Sequence, residues 1–338
     1  IGVDMTLFKD LNFTIDYFRE NRKNIFLQRQ TISVETGITG TAPYGNLGRV
    51  KNEGLDMSFN YNHSFNKDFF ISARGTFTLA KNEYVERDEP PYEYSYMSQV
   101  GQPLNNYYGY IAEGLFQSED EIADSPTQEL GTYKTQVGDI KYKDINGDGK
   151  IDSYDEVPIC YSNVPRLQYG FGLEFHWKRL TVSALLEGVG QVNFLYGGSG
   201  FHPFNGGQTG NVLSIVADAS NRWTPASYSG TKDTENPNAR FPRLTYGENK
   251  NNNQASTFWI ADGSYVRLKN LQIGYTIPSS ITKKITLNNL RVFVAAQNLF
   301  TITGYSGLDP EIGEFNQNPI YKGVDMGYYP QARTFMFG

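Results

Sequence analysis

The sequence predicts an all-β fold: a transmembrane antiparallel β-barrel wall of about nine strands, with long loops gathered at one end. Three observations carry this reading. First, polarity alternates. Leu55, Met57, Phe59, Tyr61, His63 and Phe65 interleave with Asp56, Ser58, Asn60, Asn62 and Ser64, and a period of two marks a half-buried strand. Second, short and long connections alternate along the chain. Third, aromatic residues collect on the apolar faces beside the short turns. A water-soluble sandwich could share the first feature, but it has little reason to place every long loop at one end. Outer-membrane barrels do so as a rule.

In chain order, strands are expected at Gly2–Phe8, Leu11–Phe26, Gly54–Phe65 and Phe69–Tyr84, then at Arg166–Trp177, Leu180–Gly190, Tyr265–Ile277, Leu290–Ile302 and Ala332–Phe337. Arg166–Trp177 repeats the alternation of Gly54–Phe65. Leu167, Tyr169, Phe171, Leu173, Phe175 and Trp177 lie on one face, and Gln168, Gly170, Gly172, Glu174 and His176 on the other. Lys9-Asp10, Asn66-Lys67-Asp68 and Lys178-Arg179 are tight links, and Pro278–Asn289 is a moderate one. Residues 27–53, 85–165, 191–264 and 303–331 are the long links. Phe65, Phe69, Phe175 and Trp177 flank the tight links, where an aromatic girdle would meet lipid headgroups. Leu55, Phe59, Tyr61, Phe171 and Phe175 are thus expected to face lipid, and Asn60, Asn62, Gln168 and Glu174 the lumen. Arg74, Glu174, Arg267 and Lys269 fall near polar faces. Asn249–Asn253 and Gly197–Gly207 are too polar and flexible for the wall. Residues 191–264 and 303–331 are therefore expected outside the cell.

Composition narrows the classes. No apolar run approaches the roughly 18 residues of a spanning helix, and mean hydropathy is -0.49. Spanning strands need only about 9–11 alternating residues, so low hydropathy leaves a barrel open. A net charge of -6 without a basic stripe argues against nucleic acid as a partner. The lone Cys160 allows no intrachain disulfide and gives no support to thiol chemistry. His63, His176 and His202 are too scattered for a metal site or a triad. The chain starts and stops inside alternating segments, so a piece of a longer protein is expected.

The sharpest motif is an acidic loop. Asp144, Asn146, Asp148 and Asp152 fall at positions 1, 3, 5 and 9 of an EF-hand-like spacing, with Gly149 at 6, the Lys150 carbonyl at 7 and Asp155 at 12. Such oxygens suit Ca²⁺, and Mg²⁺ less well, in a structural role. The competing reading is a bare acidic turn, and no helix pair flanks the loop. No nucleophile elbow, zinc-protease motif or phosphate loop occurs, so no enzyme is expected. The acidic groups Glu86–Glu89 and Glu119-Asp120-Glu121 read as loop-bracing. Tyr92–Tyr96, Tyr107–Tyr110 and Phe201–Phe204 either grip a ligand or pack loops together.

Ala261-Asp-Gly-Ser-Tyr-Val-Arg-Leu-Lys-Asn-Leu-Gln-Ile-Gly-Tyr-Thr-Ile-Pro278 resembles a signature of the SusC/RagA family of TonB-dependent outer-membrane transporters. So does Leu290-Arg-Val-Phe-Val-Ala-Ala-Gln-Asn-Leu-Phe-Thr-Ile-Thr-Gly-Tyr-Ser-Gly-Leu-Asp-Pro-Glu311. Asn221–Pro225, Phe241-Pro-Arg243, Gly138–Tyr142 with the acidic loop, and Tyr329–Phe335 are similar to family pieces, in family order. The resemblance implies a plugged barrel of about 22 strands, of which this chain supplies the C-terminal portion. The N-terminal plug and the first strands would lie outside it. It also implies import of oligosaccharides or oligopeptides with a SusD-like surface lipoprotein, powered through TonB by way of that N-terminal region. The alternatives are a siderophore or cofactor receptor of the same barrel type and a secreted, calcium-stabilised, glycan-binding sandwich.

Overall fold

Alternating polarity builds a single antiparallel meander in the computed structural model, which describes residues 1–37, 42–131, 134–198, 201–205, 212–311 and 329–338. Its strands are β1 (Gly2–Leu7), β2 (Leu11–Gln28), β3 (Tyr44–Asn66), β4 (Phe69–Glu86), β5 (Leu167–Trp177), β6 (Leu180–Gly190), β7 (Tyr265–Thr276), β8 (Arg291–Gln297), β9 (Thr301–Thr303) and β10 (Thr334–Phe337). Each pairs with its neighbour in sequence up to β8, which pairs with β10, while β9 extends the edge of β7.

Register fixes the two faces, because directly paired residues point the same way. One row reads Met5, Phe13, Phe59, Gly75, Phe171, Leu186, Leu268 across seven strands. The adjacent row reads Asp4, Thr14, Ser58, Thr76, Gly170, Glu187, Arg267, Thr301. Leu55, Phe59, Tyr61, Phe171 and Phe175 thus share the apolar face, and Asn60, Asn62, Gln168 and Glu174 the polar one, as the sequence predicts. Gly75 leaves room for a neighbour: a Cβ there would sit 2.2 Å from Cε1 of Phe59. That ring instead reaches Phe171, at a centroid distance of 6.3 Å.

The apolar face is not covered by protein. Phe171, Leu173, Ile273 and Val294 on it are 40–47% exposed. Fully burying a side chain of this size is worth roughly 1.5–3 kcal/mol, so a water-soluble sheet would cover it, whereas a lipid-facing wall has no need to. Along the tight turns Phe65 stacks on Phe69 at 4.9 Å, and Phe69 meets Phe175 edge-on at 5.3 Å, joining three of the four expected girdle residues by direct contact.

Three expectations need correction. β3 begins at Tyr44 rather than Gly54, because β2 and β3 stay paired out to Gln28 and Tyr44. The first long link is therefore 29–43. Hydrophobic alternation is lost over Arg19–Asn24 and Lys51–Glu53, where charged and amide residues fall on both faces. Lys51 pairs with Glu53 of its own strand at 3.1 Å and with Glu83 of β4 at 2.8 Å, and Arg19 of β2 stands 4.0 Å from Glu53, so charge bridges the strands instead. The segment Leu290–Ile302 is two strands, broken at Asn298, whose φ is 51°. Finally, the long links 85–165 and 191–264 are not simple loops.

The chain divides into two compact units. The first holds the wall, as Ile1–Asp88, Ser162–Phe194 and Asp262–Gly338; the second is Glu89–Tyr161 with Leu195–Ala261. The second unit has its own core, in which Tyr110, Ile140, Tyr142, Ile151, Phe241 and Trp259 are buried. Short ladders support it, such as Ala112–Leu115 with Ile140–Tyr142. The run Asn249–Asn253 lies outside the wall, as predicted, but it is not a flexible solvated stretch. Asn249, Asn251 and Asn252 are 2–5% exposed. Asn249 and Asn252 donate to the buried Asp139 at 3.0 and 2.9 Å, and Asn251 donates to the Ile140 carbonyl at 3.1 Å. Buried amides are tolerated because their polar atoms are matched.

Candidate functional site

On the polar face, a β-bulge gathers charge. Across β6 and β7, Leu185 pairs with Asn270 but Leu186 pairs with Leu268, leaving Lys269 as the extra residue. Because of this slip, Arg267, Lys269 and Asn270 all serve the polar side while Val266, Leu268, Leu271 and Ile273 keep the apolar one. The paired polar residues Lys269-Asn270 within the alternation are the sequence signature of the slip.

Arg267 is 3% exposed and fully engaged. Its Nε donates to Thr301 Oγ1 at 2.8 Å, Nη1 to Glu311 at 2.8 Å and Nη2 to Asp309 at 2.5 Å. Lys269 Nζ donates to both oxygens of Glu311, at 2.8 and 2.7 Å, and stands 3.7 Å from Glu187. The second Asp309 oxygen accepts from the Gln331 backbone at 2.9 Å. Burial alone would raise the Asp309 carboxyl, but the N–H groups of Gln331 and Glu311 and the Arg267 guanidinium outweigh it and hold it below the usual range. Asp309 therefore ties the outgoing and returning ends of the last long link to the wall. Residues 312–328 between them lie outside the described residues. Both cations are matched by carboxylates here, so the arrangement positions a segment.

The acidic loop folds on its own backbone. Asp144 accepts from the Gly147 and Gly149 N–H groups at 2.6 and 2.9 Å. Asn146, Asp148 and Asp152 each accept from the N–H two residues on, from Asp148, Lys150 and Tyr154. Gly147 and Gly149 adopt φ of 78° and 84°, which favours glycine. Asp155 is fully buried, and its two oxygens accept from the Ile145 and Asp152 N–H groups at 2.7 and 2.9 Å. The Lys150 ammonium pairs with Glu129 at 3.3 Å. Among the described residues, no three His, Cys, Asp or Glu side chains converge on one point.

The other predicted residues have plain roles. His63 pairs with Asp10 and His176 with Glu174, each at 2.7 Å. Arg74 lies along Gly172. Glu89 braces its link by accepting from Ser98 and Gln99, and Glu121 by accepting from Gln117 and Lys141. The aromatic stretches pack among themselves, as in Tyr94 on Tyr96 at 5.3 Å and Tyr196 on Phe201 at 4.2 Å. His202 is not a solvated loop residue: it is 9% exposed against Trp259, and burial pulls its pKa down to about 4. Burial pushes the Cys160 thiol up to about 12, so it stays protonated and unreactive.

Comparison with known proteins places this geometry. The family described as TonB dependent receptor-like, beta-barrel matches residues 1–299. TonB-dependent receptor P3 of Formosa agariphila is 27% identical over all of this chain and 33% of its own length. TonB-dependent receptor SusC of Bacteroides thetaiotaomicron is 23% identical over 87% of this chain and 26% of its own length. The solved structure of the RagAB peptide transporter superposes on 99% of the chain and 34% of its own chain, with a TM-score of 0.67 at 21% identity. The chain thus spans about a third of the length of the curated relatives it matches.

Proposed function

Because this chain belongs to the TonB dependent receptor-like β-barrel family, we propose that it serves the import of oligosaccharides or oligopeptides across the outer membrane together with a SusD-like surface lipoprotein. Members of the family are outer-membrane receptors and transporters, not enzymes. The observation that carries the reading is the two-faced wall: an exposed apolar face backed by a polar row from Asp4 to Thr301. Likeness to SusC and to a peptide transporter supports nutrient import. We assign these 338 residues to the C-terminal portion of the barrel, the long links to the cell exterior, and contact with TonB to an N-terminal plug region outside this chain. In whole cells, deleting the protein should abolish uptake of labelled oligosaccharide or oligopeptide, and tagged protein should co-purify with a surface lipoprotein. Unchanged uptake of both ligand classes, with no lipoprotein recovered, would sink this reading.

We further propose that Asp144, Asn146, Asp148 and Asp152, with the Lys150 carbonyl, hold one structural Ca²⁺ (Mg²⁺ being second choice) and that Asp155 closes the loop beneath it. The donor set fits: every group is an oxygen, and an oxygen that accepts one N–H keeps a further lone pair. The ion would offset the repulsion among clustered carboxylates and brace the loop.

A further inference from the structure

Two sequence pieces are left without a role by the wall and by the acidic loop: Asn221–Pro225 and Phe241-Pro-Arg243. In the second unit they run side by side. Trp223 N–H donates to the Phe241 carbonyl at 2.9 Å and Phe241 N–H to the Asn221 carbonyl at 3.1 Å, forming a parallel bridge at Arg222 and Phe241. This pairing brings Arg222 and Arg243 to one cavity of about 510 Å³, which Trp223, Tyr228, Tyr246 and Phe204 also line. Its size is that of a small-ligand site.

Both arginines are held from behind. Arg222 is 7% exposed, and its Nη1 donates to the Val216 and Ala217 carbonyls. Arg243 Nε donates at 2.7 Å to Asp139, whose carboxylate also receives Asn249, Asn252 and the Gln136 N–H. Among the described residues, the remaining guanidinium donors of the pair have no partner, yet none is sealed from solvent. For side chains this deeply placed, the cavity is where such donors open. Glu119 is the one acid among the described lining residues, beside the two guanidinium groups. Tyr228 and Tyr246, 77% and 76% exposed, supply flat apolar faces beside it.

We propose that this cavity binds a carboxylate-bearing ligand: Arg222 and Arg243 take the carboxylate, and Tyr228 and Tyr246 stack on the adjoining part of the molecule. Planar guanidinium donors match carboxylate oxygens in pairs, and aromatic faces add contact without demanding a particular hydrogen bond. The inference rests on the import reading and deepens it, naming acidic oligosaccharides or free peptide C-termini as the chemistry captured. The two sources share the carboxylate and are separated by the probes.

The test is calorimetric titration of the full-length transporter in detergent with trigalacturonate, maltotriose, triglycine and triglycine amide. One of the two carboxylate probes should bind at least tenfold more tightly than its counterpart without the carboxylate, and which one does so identifies the source. Arg222→Met and Arg243→Met should abolish that difference. Because either may disturb the fold, the exposed pair Tyr228→Ala and Tyr246→Ala is the control: each should weaken binding at least fivefold with an unchanged circular-dichroism spectrum. Equal affinity for probes with and without the carboxylate, or full affinity in both tyrosine variants, overturns the proposal. Lipoprotein co-purification and cellular uptake are measured alongside. Their persistence with a charge-blind cavity refutes this site alone, while their absence refutes the import reading.

Discussion

Single residues in this chain are decided by what surrounds them rather than by their type. His202 stands in a Gly-rich segment, yet it packs edge-on against Trp259 at 4.9 Å, and its Nε2 has no partner among the described residues. With a folded pKa of about 4 against an ordinary 6.5, it folds as the neutral base. Its stabilising share is complete above pH 6.5 and is lost as pH falls from 6.5 to 4, a range worth about 3 kcal/mol. Hydrogen-exchange protection factors, corrected for the intrinsic pH dependence of exchange, should therefore fall around Trp259 between pH 7 and 5, and His202→Phe should flatten that dependence. Phe171 tests the opposite environment. On the lipid face, Phe171→Arg should cost about 2–4 kcal/mol near mid-membrane, read by urea unfolding in vesicles. A loss confined to detergent-free aqueous buffer would indicate a dry protein core instead. Arg267 is the third case: Arg267→Ala takes the cation from Asp309 and leaves Glu311 with Lys269 alone. It should cost roughly 3–5 kcal/mol and raise exchange at residues 303–311, whereas Lys178→Ala at a turn should do neither.

Elements depart from the sequence reading where hydrophobic alternation is absent or slips. In the outer part of the wall Lys51 of β3 pairs with Glu83 of β4, and Arg19 of β2 stands 4.0 Å from Glu53 of β3, so charged residues hide the period of two there. The bulge at Lys269 is legible in hindsight, from two polar residues in succession, because a one-residue slip inverts every later side chain. The acidic loop is an element whose backbone is already shaped by Gly147 and Gly149. Calcium should protect residues near 138–158 from protease, and Asp144→Ala with Asp148→Ala should remove that protection while the strands persist. Protease sensitivity that ignores chelator in the unmutated protein would leave the loop a bare acidic turn.

At the scale of the molecule, the meander ends in strands with open edges: among the described residues, β1 is paired on one side only, as is β10. Unpaired edges recruit other chains. Residues 1–338 expressed alone should therefore migrate as large aggregates in size-exclusion chromatography, where the whole protein in detergent gives a discrete species. A monodisperse, detergent-free fragment would contradict the barrel reading. The second unit, in turn, gives the long links a core of their own around Tyr142, Phe241 and Trp259. Residues 206–210, whose glycines suggest a dispensable stretch, lie outside the described residues.

The wall was legible in the sequence because its cause is local: a strand between lipid and water must alternate, and Leu55–Phe65 and Arg166–Trp177 do. The family pieces were legible for a different reason, being fixed strings such as Tyr265–Ile277. What only the tertiary structure decided are the long-range meetings. Asp139 with Asn249 and Asn252 spans more than 100 residues of chain, Arg267 with Asp309 spans 42, and Arg222 comes beside Arg243 through a bridge between two loops. None of these has a period or a spacing, since each pairing depends on where separate segments are brought by a core that no single segment contains.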